Sequence, residues 1–93
     1  MLKLKDKVAV VTGAASPRGM GYATALKFAQ AGADVVITDL ALEVERLNAA
    51  VAAIQAQGVQ SMAMVVDVTD EKQIQNCVQQ VVDKFGGIDI LFN

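Results

Sequence analysis

The sequence predicts an α/β fold built on a parallel sheet, with its elements in the order β-α-β-α-β-α-β. Short apolar runs rich in Val alternate along the chain with longer segments of helical periodicity. This alternation is typical of parallel strands joined by right-handed helical crossovers. A glycine-rich turn follows the first apolar run, and an acidic residue, Asp39, ends the second. Together these features indicate part of a Rossmann-type, doubly wound sheet with strand order 3-2-1-4.

The composition agrees with strands that are buried on both faces. The 93 residues suffice for one small domain at most. Yet 54% of them are hydrophobic, which exceeds the usual fraction of about 45–50%. Parallel strands covered by helices on both faces require such a composition. The excess also indicates that the chain supplies part of a larger core.

The charge and the amino terminus argue against several classes of protein. The net charge is −2, with no basic cluster beyond Lys3, Lys5 and Lys7, so nucleic acid is not an expected partner. No segment approaches the ~20 apolar residues of a membrane span, and Asp6 with the short first apolar run argues against a signal peptide. The single cysteine, Cys77, excludes an internal disulfide and fits a reducing compartment. We therefore expect a cytoplasmic protein without a membrane partner.

The first strand and helix enclose the turn that spans residues 12–21. A strand is predicted over residues 7–12 and a helix over about 20–30, which Gly32 ends. The last residues of the turn can direct N–H groups at an anion, and the helix N-terminus adds roughly half a positive charge. Glycine is needed because the backbone must turn sharply and approach the ligand closely, where a Cβ would obstruct it.

Asp39 ends the second predicted strand, residues 33–38, and lies 18 positions after Gly21. A carboxylate at this place can accept hydrogen bonds from both hydroxyls of an adenosine ribose. It would also repel a 2′-phosphate, which favours NAD over NADP. The alternative is that Asp39 merely caps the next helix. The glycine-rich turn upstream favours the ribose role.

The remaining elements follow the same alternation. A helix is predicted over residues 42–57 and is closed by Gly58, and a third strand follows over residues 61–66. Thr69 or Asp70 is placed to cap a third helix, which runs to residue 85. A fourth strand is predicted over residues 88–92, and strand order 3-2-1-4 leaves it at an edge of the sheet.

Four segments, taken in order, resemble the N-terminal, cofactor-binding half of the short-chain dehydrogenase/reductase family. The resemblance covers residues 5–93, effectively the whole chain. The last segment is similar to the start of that family's Asn-Asn-Ala-Gly motif. The four segments are Thr12-Gly13…Gly19-Met20-Gly21, Asp39, Asp67-Val68-Thr69 and Ile90-Leu91-Phe92-Asn93.

The resemblance implies that Gly13, Gly19 and Gly21 form the turn around a dinucleotide pyrophosphate, with Met20 contributing a backbone N–H. In this chain Ala14–Arg18 separate the first two of these glycines, five residues where the family usually has three. The longer turn must therefore bulge outwards.

Two residues of this longer turn leave alternatives open. Ser16 can donate to a phosphate or simply cap the bulge. Arg18 suggests NADP, because a basic residue before the second glycine pairs with the 2′-phosphate in some members of the family. Asp39 argues the other way, and we give it more weight because it should lie beside the ribose.

The adenosine half of the cofactor has its own implied partners. By resemblance, Asp39 and the backbone of Leu40 hold the ribose. Asp67 bonds the adenine amino group, and Val68 lies against the ring. Asn93 stabilises the fourth strand and lies near the adenosine. The expected cofactor is NAD, with NADP less favoured.

The resemblance implies an oxidoreductase that interconverts a hydroxyl and a carbonyl of a small alcohol or ketone by hydride transfer. The family's Ser, Tyr-x-x-x-Lys and Asn should lie beyond residue 93, so this chain alone should be inactive. Its one tyrosine, Tyr22, is followed four positions later by Leu26 rather than by lysine. No spacing of Asp, Glu and Cys suggests a metal site.

The alternative is a non-catalytic nucleotide-binding or interaction module that is complete as given. The chain ends at the last residue of an apolar strand, after only the first Asn of the Asn-Asn-Ala-Gly motif. This ending favours the N-terminal segment of a longer enzyme. We expect that enzyme to be a homo-oligomer.

Overall fold

The computed structural model describes residues 3–93 and contains a four-stranded parallel sheet in the order β3-β2-β1-β4. The predicted fold class and strand order are therefore confirmed. The strands are β1 (Val8–Thr12), β2 (Asp34–Asp39), β3 (Ser61–Val65) and β4 (Ile90–Phe92). The helices are α1 (Met20–Gln30), α2 (Val44–Gln55) and α3 (Glu71–Phe85), and a 3₁₀ turn (Ala41–Glu43) precedes α2.

The central strands are buried on both faces because helices cover each side of the sheet. Val35 and Ile37 of β2 pack with α1 and α2, whereas Val36 between them packs with α3. This alternation follows from the two-residue period of a strand. On the α1 side, Ala25 and Ala29 are fully buried, and their small side chains let the helix lie close to the sheet. The many apolar residues of the sequence therefore pack on both faces of the sheet.

Element boundaries differ from the predicted ones where a helix begins or a strand ends. The segment predicted as one helix over residues 42–57 begins with a 3₁₀ turn, and its α-helical part is Val44–Gln55. The predicted strand over 88–92 is reduced to Ile90–Phe92. Asp70, rather than Thr69, caps α3, because its carboxylate accepts from two N–H groups of the first turn. These differences leave the topology unchanged.

The face of the sheet that α3 covers is only partly closed. Cys77 and Val81 of α3 are buried against the strands, and this burial raises the pKa of the Cys77 thiol. Ile74, Val78 and Val82, on the same helix, remain exposed. A cavity of about 560 Å³ lies between α3 and the sheet and is lined mainly by apolar side chains. Apolar surface of this kind is ordinarily covered by further structure.

We expect residues 1–93 expressed alone to associate rather than form a stable monomer. Among residues 3–93, β4 pairs with β1 only, so its outer edge carries unpaired backbone groups that invite pairing with another chain. Leu91 of β4 is 62% exposed, which adds apolar surface at that edge. Size-exclusion chromatography with light scattering should show oligomers or aggregates, and the thermal melt should lack a sharp transition.

Leu91→Lys provides a matched variant for this prediction, since a charge on an edge strand opposes edge pairing. It should shift the fragment towards smaller species. A monodisperse 9.8 kDa monomer with a cooperative melt, formed by the unmodified fragment, would show that the exposed edge and face are tolerated.

Candidate functional site

A cleft of about 730 Å³ opens where the carboxyl ends of the four parallel strands meet. The chain leaves β1 towards β2 on one side and later returns to pair β4 with β1 on the other. The order of the strands therefore reverses at β1, and ligands of doubly wound sheets bind at such a point. The cleft is lined by Thr12, Gly13, Met20, Gly21, Thr38, Asp39, Leu40, Val66, Asp67, Val68, Thr69, Phe92 and Asn93.

Most of the residues predicted from the sequence line this cleft. Those that do so are Gly13, Met20, Gly21, Asp39, Leu40, Asp67, Val68 and Asn93.

Three predicted residues, Ser16, Arg18 and Gly19, belong to the neighbouring turn and do not line the cleft. Two residues that line the cleft, Thr12 and Thr38, were not predicted as site residues. Thr12 is the last residue of β1 and Thr38 the next-to-last residue of β2. These positions at the carboxyl ends of adjacent parallel strands could have identified them as site residues.

Of the three glycines of the turn, the structure requires two, each for a different reason. Gly13 has a φ of 63°, a left-handed conformation that side chains other than glycine rarely adopt. Gly19 has a φ of −86°, so its backbone does not require glycine. At Gly21 an added Cβ would lie 2.6 Å from the carbonyl oxygen of Gly13. The first turn of α1 therefore lies directly against the end of β1, and only a glycine at position 21 allows this contact.

The extra residues of the turn stand out from the cleft, as expected from its length. The N–H of Gly19 donates to the carbonyl of Ser16 at 2.9 Å, which closes a β-turn with Pro17 and Arg18 exposed at its tip. The hydroxyl of Ser16 accepts from the N–H of Arg18 at 3.4 Å. Of the two roles left open for Ser16, this structure contains the capping contact.

The N-termini of α1 and α3 differ in a way that bears on ligand binding. At α3, the Asp70 carboxylate accepts from the N–H groups of Lys72 and Gln73. At α1, the cap residue is Gly19, no side chain caps the helix, and no acidic residue lies in its first turn. The first N–H groups of α1 thus keep their hydrogen-bonding capacity and partial positive charge. This open N-terminus fits a phosphate group.

Both carboxylate oxygens of Asp39 contact backbone N–H groups. Oδ1 accepts from Leu40 at 2.8 Å, and Oδ2 accepts from Ala15 at 3.1 Å. The 3₁₀ turn and α2 begin without a side-chain cap, so Asp39 does not play the capping role that was its alternative. A carboxylate offers about four acceptor positions, so two remain for the hydroxyls of a ribose.

Asp67 is held by the residues that follow it. Its Oδ1 accepts from the hydroxyl of Thr69 at 2.6 Å and from the N–H of Thr69 at 2.9 Å. Its own N–H donates to the side chain of Gln73 at 2.8 Å. The hydroxyl bond of Thr69, followed by the backbone bond, holds the pKa of Asp67 below its ordinary value of 3.8. The carboxylate is therefore ionised at neutral pH and can accept a hydrogen bond from an amino group.

Hydroxyl groups form a polar part of the cleft wall. Thr38 is 1% exposed, and its Oγ1 finds no hydrogen-bond partner among residues 3–93. Buried hydroxyls are ordinarily paired, so this one fits a polar atom of a ligand or a bound water. The hydroxyl of Thr12 contacts the side chain of Asn93 at 3.1 Å. That contact ties the end of β4 to β1, which agrees with the strand-stabilising role expected of Asn93.

Tyr22 packs against the core on the α1 side and does not line the cleft. Within residues 3–93, no three His, Cys, Asp or Glu side chains lie close enough to hold a metal ion. Over the same residues, no helix has the length and apolar character needed to cross a membrane.

Comparison with known proteins gives a consistent result. A sequence profile described as short chain dehydrogenase matches residues 7–93. The chain is 46% identical over 96 residues to hydroxysteroid dehydrogenase-like protein 2 of Danio rerio, and the match covers 98% of this chain and 23% of that protein.

Solved structures agree with the sequence match. NAD⁺-bound xylitol dehydrogenase superposes with a TM-score of 0.87 at 38% identity, covering 96% of this chain and 33% of that one. A short chain dehydrogenase from Burkholderia cenocepacia in complex with NADP superposes with a TM-score of 0.88 at 43% identity, covering 96% and 35%. The chain thus spans about a quarter to a third of the length of these proteins.

Substitutions at two glycines should separate the integrity of the turn from ligand contact. In the full-length protein, Gly21→Ala places a Cβ against the backbone of Gly13, so it should lower the melting temperature and weaken dinucleotide binding together. At Gly19 an added Cβ meets Ser16 at an ordinary 3.4 Å. Gly19→Val should therefore keep the melting temperature. Because Gly19 is the N-cap of α1, a branched side chain there should crowd a pyrophosphate bound at the first N–H groups of the helix and weaken NAD binding at least about tenfold. An NAD titration unchanged in folded Gly19→Val would remove Gly19 from the site.

Thr69→Val should raise the pKa of Asp67 towards 3.8, because it deletes the hydroxyl that stabilises the carboxylate. Thr69→Ser keeps a hydroxyl and should retain the low value. A lowered pKa stabilises the fold above the unfolded value, and this stability is lost as the pH falls through the folded value. Acid unfolding of Thr69→Val should therefore begin at higher pH. NMR titration of the Asp67 carboxyl carbon measures the pKa directly, and equal values in the two variants would refute this account.

Proposed function

The chain belongs to the short-chain dehydrogenase family, and on that premise we propose that residues 1–93 form the N-terminal part of a single dinucleotide-binding domain. The whole protein would be an NAD(P)-dependent oxidoreductase that interconverts a hydroxyl and a carbonyl, with NAD the favoured cofactor. The bound dinucleotide would supply the nicotinamide that exchanges a hydride with the substrate. The groups that move the substrate proton would come from outside these residues.

The observation that carries the proposal is the position of Asp39 beside the open N-terminus of α1. The pyrophosphate would lie against the first N–H groups of α1, near Gly13 and Gly21, where an anion is stabilised. The adenosine ribose would then reach the end of β2, where the Asp39 carboxylate has acceptor capacity left. The N-terminus of α1 thus matches the pyrophosphate of the cofactor, and the Asp39 carboxylate matches its adenosine ribose.

The preference for NAD follows from charge. A 2′-phosphate on the ribose would come close to the Asp39 carboxylate. Two like charges ~4 Å apart repel by about 1 kcal/mol in water and about 4 kcal/mol at an effective dielectric constant near 20. These energies correspond to roughly five-fold to nearly a thousand-fold discrimination. Arg18 could offset the repulsion, but it is exposed in the turn and does not line the cleft.

The adenine would lie between the ends of β2 and β3. Asp67, ionised and held in place by Thr69, would accept a hydrogen bond from the adenine amino group. Val68 is exposed in the wall of the cleft, where an aromatic ring would cover its apolar surface. Asn93 would support the neighbouring strand end through its contact with Thr12.

The remaining features of the protein are proposals of the same kind. The substrate would be a small alcohol or ketone, the assembly a homo-oligomer and the compartment the cytosol. A buried and unpaired Cys77 agrees with a reducing compartment.

The full-length protein should have a higher kcat/KM with NAD than with NADP, measured with a panel of small alcohols and ketones. Asp39→Ala should lower the NAD-to-NADP ratio of kcat/KM, because it removes the charge that repels the 2′-phosphate and the acceptor of the ribose. A wild-type preference for NADP would contradict the proposed cofactor. Tight dinucleotide binding without turnover of any substrate would instead favour a non-catalytic binding module.

A further inference from the structure

We propose that Asp39 is also a positioning residue for the glycine-rich turn, which its side chain fastens to the end of β2. The contact with Ala15 is present in the chain itself, whatever the cleft binds. Its consequence for ligand affinity rests on the proposed function, since the turn is taken to hold phosphate.

The contact continues the hydrogen-bond ladder between β1 and β2. The last paired residues of the two strands are Thr12 and Thr38. Beyond them, the N–H of Ala14 still donates to the carbonyl of Thr38 at 3.1 Å. At the next position the N–H of Ala15 donates at 3.1 Å to the side chain of Asp39 instead of to a backbone carbonyl.

The acceptor at this point is a side chain because the backbone carbonyl of Asp39 faces β3 rather than β1. This carbonyl accepts from the N–H of Val66 at 3.0 Å, on the β3 side. The carboxylate therefore supplies on the β1 side the acceptor that the main chain cannot offer there. Asp39 thus joins the ends of three strands: its carbonyl bonds the residue after β3, and its side chain bonds the turn that follows β1.

The turn depends on this attachment because of its length. Ala14 and Ala15 are buried in the core. The chain then extends outwards in the β-turn that is closed by the hydrogen bond between Ser16 and Gly19. A long exposed turn of this kind holds the following helix in place only if the residues at its start are fixed. Without the carboxylate, the N–H of Ala15, in a residue only 2% exposed, would have no partner, which is unfavourable. The turn would then relax away from the geometry that directs the N–H groups of α1 into the cleft.

The fastening role and the ribose role make opposite predictions for a ligand without ribose. Inorganic pyrophosphate cannot contact Asp39 through hydroxyls, and removing a negative charge should by itself tighten the binding of an anion. If Asp39 also fixes the turn, its removal should weaken pyrophosphate binding despite that gain. Asp39→Asn is the matched control for Asp39→Ala. Both lose the charge, but the carboxamide oxygen of Asn can still accept one hydrogen bond.

The test uses the full-length protein and both variants, each checked for folding by circular dichroism. Amide hydrogen exchange should be at least about tenfold faster at Ala15 in Asp39→Ala than in wild type, and slower in Asp39→Asn than in Asp39→Ala. The amide of Ala14, which bonds the Thr38 carbonyl, serves as an internal reference and should change little. Calorimetric titration should show pyrophosphate binding at least about fivefold weaker in Asp39→Ala than in Asp39→Asn.

Two outcomes would overturn the proposal: an unchanged exchange rate at Ala15 in Asp39→Ala, or equal pyrophosphate affinity in the two variants. No pyrophosphate binding by wild type would instead contradict the phosphate role of the turn, which belongs to the proposed function. Failure of the fastening role is distinguishable from failure of the proposed function. A shifted NAD-to-NADP ratio with an unchanged Ala15 amide would keep the ribose role and reject the fastening role. A faster Ala15 amide with an unchanged ratio would support the fastening role and reject the ribose role.

Discussion

The close contact between α1 and the end of β1 is the constraint on which the rest of the site depends. It is possible only because position 21 carries no Cβ, since such an atom would lie 2.6 Å from the carbonyl oxygen of Gly13. Further along α1, Ala25 and Ala29 continue the close packing against the sheet. The helix N-terminus is thereby held over the carboxyl edge of the strands with its first N–H groups uncapped. Backbone groups fixed in this way can stabilise an anion without a charged side chain.

The parallel topology supplies the other half of the site. Parallel strands bring residues that are distant in sequence to one edge, so Asp39, Asp67 and Asn93 line the same cleft. Each of these side chains is fastened by neighbours: Asp39 by two backbone N–H groups, Asp67 by Thr69, and Asn93 by Thr12. The cleft therefore presents polar groups whose positions are set before a ligand arrives. Such preorganisation lowers the entropic cost of binding.

Much of this arrangement follows from sequence pattern, and the remainder depends on three-dimensional contacts that pattern does not encode. Val-rich runs that alternate with helical segments predict a parallel sheet covered on both faces. The glycine-rich turn and Asp39 identify that sheet as Rossmann-type, and the strand order and the place of the cleft follow from this fold. The bond from Ala15 to Asp39 could not be predicted, since it depends on the register of β1 with β2 and on the path of a lengthened turn. The pattern likewise predicted the third helix but not that its apolar residues Ile74 and Val78 would remain exposed. It identifies which residues are apolar and does not show what covers them.

A crystal structure of the full-length protein with NAD would show whether this cleft holds the adenosine end of the cofactor. We expect the pyrophosphate at the N-terminus of α1, within about 3 Å of backbone N–H groups at Met20 or Gly21. We also expect both adenosine ribose hydroxyls at hydrogen-bond distance from the Asp39 carboxylate, with the adenine beside Asp67 and Val68. NAD bound outside this cleft, or bound with its nicotinamide rather than its adenosine against Asp39, would contradict the account.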